Sequence, residues 1–435
     1  PRAPGAGPPF PPGGGCRGAP RPPPRGVFPP PSEAPAVKIT AIKTVVVNAE
    51  MRNWIFVKVE TDEAGLYGWG EATLEWKTRA VVGAVEDLAP LLIGRDPRDI
   101  EQAVRVMHKH GFWRMGVIGA TAISGIEVAL WDILGKELGV PVWRLLGGKT
   151  RDKVPVYTHL GLGDMRAVYE TMQPGALVEA GLAVVEKGYR AVKVVFIPYT
   201  HYTTHIRQVD HVAKLMQALR EAVGDGFEIM VDFHGRPASV NAALDYIRAL
   251  EPGRPLFVEE PVPPTDPELM RAVTEQSRVP IATGERLIGR VEFAPLFRLH
   301  ALHIAQPDIA HTGGLAQSRK SAAAARAGRA WGPPPNTPRP PPRHNPLGPL
   351  AGVAALHFDI ATPNFVIQEE MSGAVPWYDE VATTPIRRVD GAWQIPEGPG
   401  LGVEVDEKVA AAHPFKQEVF HTLHAVVEDG TVVDW

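Results

Sequence analysis

The 435-residue sequence predicts an α/β fold, a (β/α) barrel preceded by an α+β domain, on three observations. From Val154 onward, short apolar runs alternate with stretches of helical periodicity. Before that point the order differs: three strand-like runs come first and three helix-like runs follow. Third, several barrel runs end in an acid. Met230-Val-Asp-Phe-His-Gly-Arg236, Leu256-Phe-Val-Glu-Glu-Pro261 and Pro280-Ile-Ala-Thr-Gly-Glu-Arg286 each break from an apolar run into a carboxylate and turn residues.

In chain order, residues 1–36 are dominated by Pro, Gly, Ala and Arg and read as a disordered tail, with a targeting peptide as the minority reading. Deleting them is expected to leave melting temperature unchanged. The single cysteine, Cys16, lies in this tail, so neither a disulfide framework nor a Cys-based zinc site is expected. Strand-like runs at 38–48, 54–61 and 66–72 suggest an antiparallel meander. Helical periodicity follows at 78–92, 98–109 and 121–138.

The alternating part has strand-like runs at 154–160, 190–197, 228–233, 256–260, 280–283, 302–307 and 364–370. Helix-like stretches at 207–223, 239–250, 314–328 and 348–361 lie between them. That makes seven strands where a closed barrel needs eight. The seventh position falls on 329–343, whose density of proline no central strand tolerates. The expected domains are a tail at 1–36, an α+β domain at 37–153, a barrel at 154–380 and a C-terminal segment at 381–435.

A hydrophobic content of 44%, a charged content of 22% and a net charge of −4 suit a globular enzyme and give no general pull toward nucleic acid or anionic membrane. No apolar run is expected to reach the roughly 20 residues of a membrane span, and no secretory signal is expected at the start. A cytoplasmic location is the expectation, with no nucleic-acid or membrane partner.

Barrel strands point their C-terminal ends to one face. Asp232, Glu259 and Glu285 therefore converge, and three carboxylates at one point need a cation. Hard oxygen ligands with room for water and substrate favour Mg²⁺. Paired surface acids, bonded to Arg236 and Arg286, are the bland alternative. His234 lies two residues beyond Asp232, and on a strand that spacing shares a face, so it is expected to enter the same cavity.

Further motifs run along the chain: Ile126-Glu-Val-Ala-Leu-Trp-Asp-Ile133, Gly139-Val-Pro-Val-Trp-Arg-Leu-Leu-Gly-Gly148, Asp232-Phe-His-Gly-Arg236, Glu259-Glu-Pro261, Gly284-Glu-Arg286, Gln306-Pro-Asp308 and His344-Asn-Pro-Leu-Gly-Pro349. On these, the chain from Lys38 to Trp435 resembles the enolase superfamily, mandelate racemase/muconate lactonizing enzyme subgroup, and is most similar to its galactonate dehydratases. The resemblance implies an α+β capping domain over a modified TIM barrel, with the segment after about 380 returning to the cap. It picks Glu259 over Glu260 as metal ligand, and it assigns His234 as general acid and His344, paired with Asp308, as base. It places Glu369 near the substrate; a pair for a nearby arginine is the alternative.

The implied reaction is Mg²⁺-dependent dehydration of a small-molecule acid sugar, such as galactonate, to a 2-keto-3-deoxy acid. His344 takes the α-proton, the metal stabilises the enediolate and His234 protonates the departing 3-hydroxyl. A homo-oligomer is expected. A racemase or epimerase of the same superfamily is one alternative, and a metal-binding pseudoenzyme impaired by 329–343 is another. Lys193 matches the first position of a Lys-x-Lys motif whose second position is Val195 here, which leaves a histidine-based pathway. His311 reads as structural. Trp69, Trp76, His108, His110, Trp113 and Arg114 lie in the cap, where some are expected to read the substrate. Without a seventh strand, Asp308 and His344 are expected to be loosely coupled and the enzyme weak, because productive geometry tolerates only about half an ångström.

Overall fold

The computed structural model describes residues 37–160, 173–327, 344–383, 386–418 and 425–434. The expected tail at 1–36, including Cys16, and the proline-rich stretch at 329–343 lie outside the described residues.

The cap opens with β1 (Ile39–Ala49), β2 (Arg52–Thr61) and β3 (Tyr67–Glu71), an antiparallel meander in that order. Three helices follow: α1 (Thr78–Leu88), α2 (Ile100–Lys109) and α3 (Gly116–Leu138). Alternation along β2 turns Ile55, Val57 and Val59 to one face, where they share a core with Ile126, Ala129 and Ile133 of α3. One sequence expectation is corrected here. By length and composition α3, at 23 residues, is apolar enough to cross a membrane, but 78% of its apolar window is buried inside the fold. Packing on the meander and on barrel helices accounts for a helix apolar all round. The short α4 (Val142–Leu145) leads toward the barrel.

Six parallel strands then pair in chain order: β4 (Val154–His159), β5 (Ala191–Val194), β6 (Glu228–Asp232), β7 (Phe257–Glu259), β8 (Ile281–Thr283) and β9 (Ile304–Ala305). A seventh, β10 (Gln368–Glu369), pairs in parallel with β4. The helices of this part are α5 (Pro174–Glu186), α6 (Ile206–Val223), α7 (Val240–Leu250), α8 (Pro267–Gln276), α9 (Gly289–Leu299), α10 (Leu315–Ala327) and α11 (Pro349–Ala361). Among the described residues no strand joins β9 to β10. Beyond β9, Asp308 accepts from the Ala310 N–H at 2.7 Å, which turns the local backbone.

After the barrel come α12 (Tyr378–Val381) and a hairpin of β11 (Arg388–Val389) and β12 (Ala392–Trp393), which adds antiparallel to β4. Beyond it Gly400 bridges to Pro141, and α13 (Glu407–Ala412) packs on β1.

Buried acids of the cap serve as caps for barrel helices, whose first N–H groups have no partner within the helix. Glu127 of α3 accepts from the Leu315 and Ala316 N–H groups of α10, each at 2.9 Å. Glu71 of β3 accepts from Gly348 at 2.7 Å and from Ala351 at 2.8 Å, at the start of α11. A β-carbon at position 348 would stand 2.6 Å from the Glu71 carboxylate, so glycine is what lets it approach.

Candidate active site

Parallel register sets Asp232 beside Glu259, and Glu259 beside Ala282 one strand further on. Glu285 follows β8 by two residues. One carboxylate oxygen from each of Asp232, Glu259 and Glu285 lies within 4.8 Å of the others. Asp232 and Glu259 are buried, and the Glu285 side chain is 14% exposed. The two arginines of the bland alternative make their close contacts elsewhere. Arg286 pairs with Glu260 at 2.5 Å, and Arg236 donates to the Ile197 carbonyl and lies over the Tyr199 ring. The adjacent glutamates thus part company, Glu259 to the cluster and Glu260 to Arg286.

The donor set fits a hard divalent cation. Glu259 Oε1 is buried with no hydrogen-bond partner among the described residues, a costly state for a carboxylate oxygen. Burial, and then the charge of Asp232, hold the Glu259 carboxyl well above its ordinary range. All three donors are carboxylates, the chemistry that suits Mg²⁺ rather than softer metals.

One cation belongs to the chain itself. Lys193, on β5, is 1% exposed. Its Nζ lies 3.0 Å from Glu259, 3.1 Å from Asp232 and 3.0 Å from Glu369. Burial pushes this ammonium down, but Glu259, Glu369 and Asp232 more than offset that and hold it well above the usual lysine range.

His234 reaches the cluster by another route than strand alternation. β6 ends at Asp232, and His234 has φ of 52°, a left-handed residue on a turn. Its N–H donates to Asp232 Oδ1 at 3.0 Å, and its Nε2 lies 3.5 Å from Asp232 Oδ2. Burial pushes its pKa down to about 4, with Asp232 opposing.

His344 Nδ1 donates to Asp308 Oδ2 at 2.9 Å, and its Nε2 lies 2.8 Å from Glu285 Oε2. Burial lowers its basicity, but Glu285, Glu369 and Asp308 outweigh burial and hold the imidazole well above its ordinary value. The expectation of a loose Asp308–His344 pair is therefore corrected: 2.9 Å is a full hydrogen bond. The physical reason is that side chains, rather than a strand ladder, fix the segment after His344. Glu369 Oε2 accepts from the Asn345 N–H at 2.8 Å, and Glu71 holds Gly348 and Ala351.

Glu369 Oε1 lies 2.7 Å from His159 Nε2 and 3.0 Å from Lys193, and its Oε2 lies 4.0 Å from His344 Nε2, so its neighbours are a lysine and two histidines. Despite burial, Lys193, His344 and His159 hold its carboxyl well below the usual range. His159 closes β4, and the strand-end rule that found the acids would have found it too. His311 bonds Thr121 Oγ1 at 3.0 Å and is buried. Of the cap residues, Trp69 is buried, whereas Trp113 is 82% exposed and edge-on to Phe112.

Known proteins share this arrangement of sequence and fold. Residues 32–147 match the family described as mandelate racemase / muconate lactonizing enzyme, N-terminal domain, and residues 176–409 match the enolase C-terminal domain-like family. A D-galactonate dehydratase of Pectobacterium atrosepticum is 36% identical over 405 residues, 92% of this chain and 100% of that protein. One from Ralstonia nicotianae is 37% identical over 393 residues, 88% of this chain and 96% of that one. Among solved structures, a mandelate racemase/muconate lactonizing enzyme-like protein from Roseovarius sp. superposes with a TM-score of 0.80 at 32% identity, covering 91% of this chain and 99% of that one. A mandelate racemase/muconate lactonizing enzyme from Sulfitobacter sp. gives 0.78 at 33%, covering 88% and 96%. With these matches running along most of its length, the chain belongs to the enolase superfamily, in the mandelate racemase/muconate lactonizing enzyme subgroup.

Proposed function

We propose that the protein is a Mg²⁺-dependent hydro-lyase that dehydrates an aldonic acid of the galactonate type to a 2-keto-3-deoxy acid. One observation carries this reading: two histidines lie against different members of one carboxylate cluster, His234 beside Asp232 and His344 beside Glu285. The names of the relatives, D-galactonate dehydratase, supply the substrate class.

Asp232, Glu259 and Glu285 hold the cation in this reading. Bound there, Mg²⁺ would act as a Lewis acid toward the substrate carboxylate and make the adjacent carbon more acidic. The rest of the work falls to side chains. His344 takes the α-proton at Nε2, which a Glu285 engaged in holding the cation would leave free. Asp308 keeps the proton on Nδ1 and steadies the imidazolium that forms. His234 delivers a proton to the departing 3-hydroxyl, which leaves as water, and the enol tautomerises to the keto acid. His234 must be protonated to do so, and a bound anionic substrate favours the imidazolium. Glu369 holds the Asn345 N–H beside His344 and pairs with Lys193.

Racemisation requires a second base on the opposite face. Lys193, fixed among three carboxylates and far above its usual range, does not suit that task; His234 is the other candidate, so the test below separates water loss from racemisation. His344 beside Asp308 also argues against an inactive metal-binding protein.

The test is a panel of aldonic acids with Mg²⁺, read as 2-keto acid formation, with the wild type beside His344→Asn. Turnover of a galactonate-type acid that is lost in the variant is expected. Racemisation without water loss, or no turnover of any acid sugar, would contradict the reading.

A further inference from the structure

The segment that carries His344 has no ladder partner among the described strands, since β9 bonds only β8 and β10 bonds only β4. It is fixed instead at discrete points. Glu369 takes the Asn345 N–H, and Glu71 takes the N–H groups of Gly348 and Ala351. Between these, Arg52 Nη1 donates to the carbonyl of Pro346, two residues beyond His344.

Arg52 belongs to the cap. It opens β2 and is 5% exposed. Its same nitrogen meets Glu75 Oε1 at 2.5 Å, and Nη2 reaches Met51 Sδ at 3.2 Å, so the guanidinium is clamped on the cap side before it reaches the barrel. A planar guanidinium, always charged and carrying donors in a rigid fork, suits this task better than a flexible ammonium. Pro346 has no N–H, so its carbonyl is its only backbone hydrogen-bonding group. The Arg52 contact uses it.

We infer that Arg52 is a positioning residue: through the Pro346 carbonyl, the capping domain sets the angle of the His344 imidazole against Asp308 and the reacting carbon. The activity side of this inference rests on the reading of His344 as base; the structural side does not. Misplacing a reacting group by about 1 Å costs on the order of 10²-fold in rate. The loss falls on kcat when the residue acts through His344, and on KM when it touches substrate.

The experiment uses the full chain and compares the wild type with Arg52→Met, Arg52→Lys and the milder Glu75→Gln, which leaves Arg52 in place but unclamped. Two readouts are taken. Hydrogen–deuterium exchange followed by mass spectrometry reports on the peptide spanning 344–351. Steady-state kinetics report kcat and KM on whichever aldonic acid the wild type turns over. Arg52→Met is expected to speed exchange in that peptide at least about tenfold and to lower kcat about 10–100-fold with KM within about twofold. Arg52→Lys is expected to recover part of both, and Glu75→Gln to shift both in the same direction by less.

Unchanged exchange at 344–351 in Arg52→Met and Glu75→Gln overturns the inference whatever the rates do. A raised KM at constant kcat also overturns it, because Arg52 would then be a substrate contact. If Arg52→Met fails to fold, Glu75→Gln decides by the same two readouts. If the wild type dehydrates nothing, the functional reading fails separately and exchange alone decides the role of Arg52.

Discussion

The His344 imidazole stands 2.9 Å from the Asp308 carboxylate, 36 residues away in sequence. That stretch includes the proline-rich segment 329–343, yet the pair is as close as any well-formed hydrogen bond of its kind. A buried carboxylate on Nδ1 fixes the tautomer, and Nε2 meets Glu285 Oε2 at 2.8 Å. Asp308→Asn keeps the shape but releases the tautomer, and is expected to lower kcat by about 10²–10⁴-fold with little change in substrate affinity. Steady-state kinetics on the best aldonic acid check this. Retention of kcat within about threefold would separate Asp308 from the chemistry.

The carboxylate cluster makes a prediction about metal that needs no turnover. Adding Mg²⁺ to chelator-treated protein is expected to raise the melting temperature, since a ligand that binds only the folded state stabilises it. Glu285→Gln is expected to abolish most of that increment while the variant still melts cooperatively. An equal rise in wild type and variant would place the metal elsewhere.

Gly348→Ala tests the helix cap that Glu71 provides. The new β-carbon would stand 2.6 Å from Glu71 Oε1 and displace it from two N–H groups. A loss of roughly 1–3 kcal/mol in urea unfolding is expected for a buried carboxylate and donors left mispaired. A change under about 0.5 kcal/mol would mean the carboxylate finds an equal position.

Stability below neutral pH is expected to depend on His357, in α11. Its Nδ1 accepts from the Trp143 N–H at 3.1 Å, and its Nε2 donates to the Leu401 carbonyl at 3.0 Å, so it joins α4, α11 and the returning C-terminal segment as a neutral ring. Burial lowers its pKa from 6.5 to about 4. A depressed pKa means the unfolded chain binds the proton first, so this contribution is whole above about pH 6.5 and is lost as pH falls through about 4. Between pH 7.5 and 4.5 the wild type is expected to lose roughly 2–3 kcal/mol more than His357→Gln, by urea unfolding at both pH values. Equal losses would show that His357 does not carry the dependence.

Much of this fold is legible in the sequence because its signals are local. An apolar run that ends in an acid marks β6, β7 and the approach to Glu285, and helical periodicity marks α6, α7 and α11 within a residue or two. What eluded the sequence depends on contacts between distant residues. The partners that fix the His344 segment, Arg52 and Glu71, lie 294 and 277 residues from their acceptor and donor, and no pattern around His344 announces them. His234 meets Asp232 through a left-handed turn rather than along a strand, which alternation cannot foresee. That both sides of α3 are covered is likewise visible only in the fold.

Exchange of the substrate α-hydrogen with solvent tests most directly whether His344 is the base. In D₂O with Mg²⁺ and a galactonate-type acid, His234→Asn retains the base and lacks the acid. It is expected to wash deuterium into the α-position while forming little 2-keto acid. His344→Asn is expected to do neither. Continued α-exchange in His344→Asn, with the fold intact, would contradict the assignment of His344 as the base.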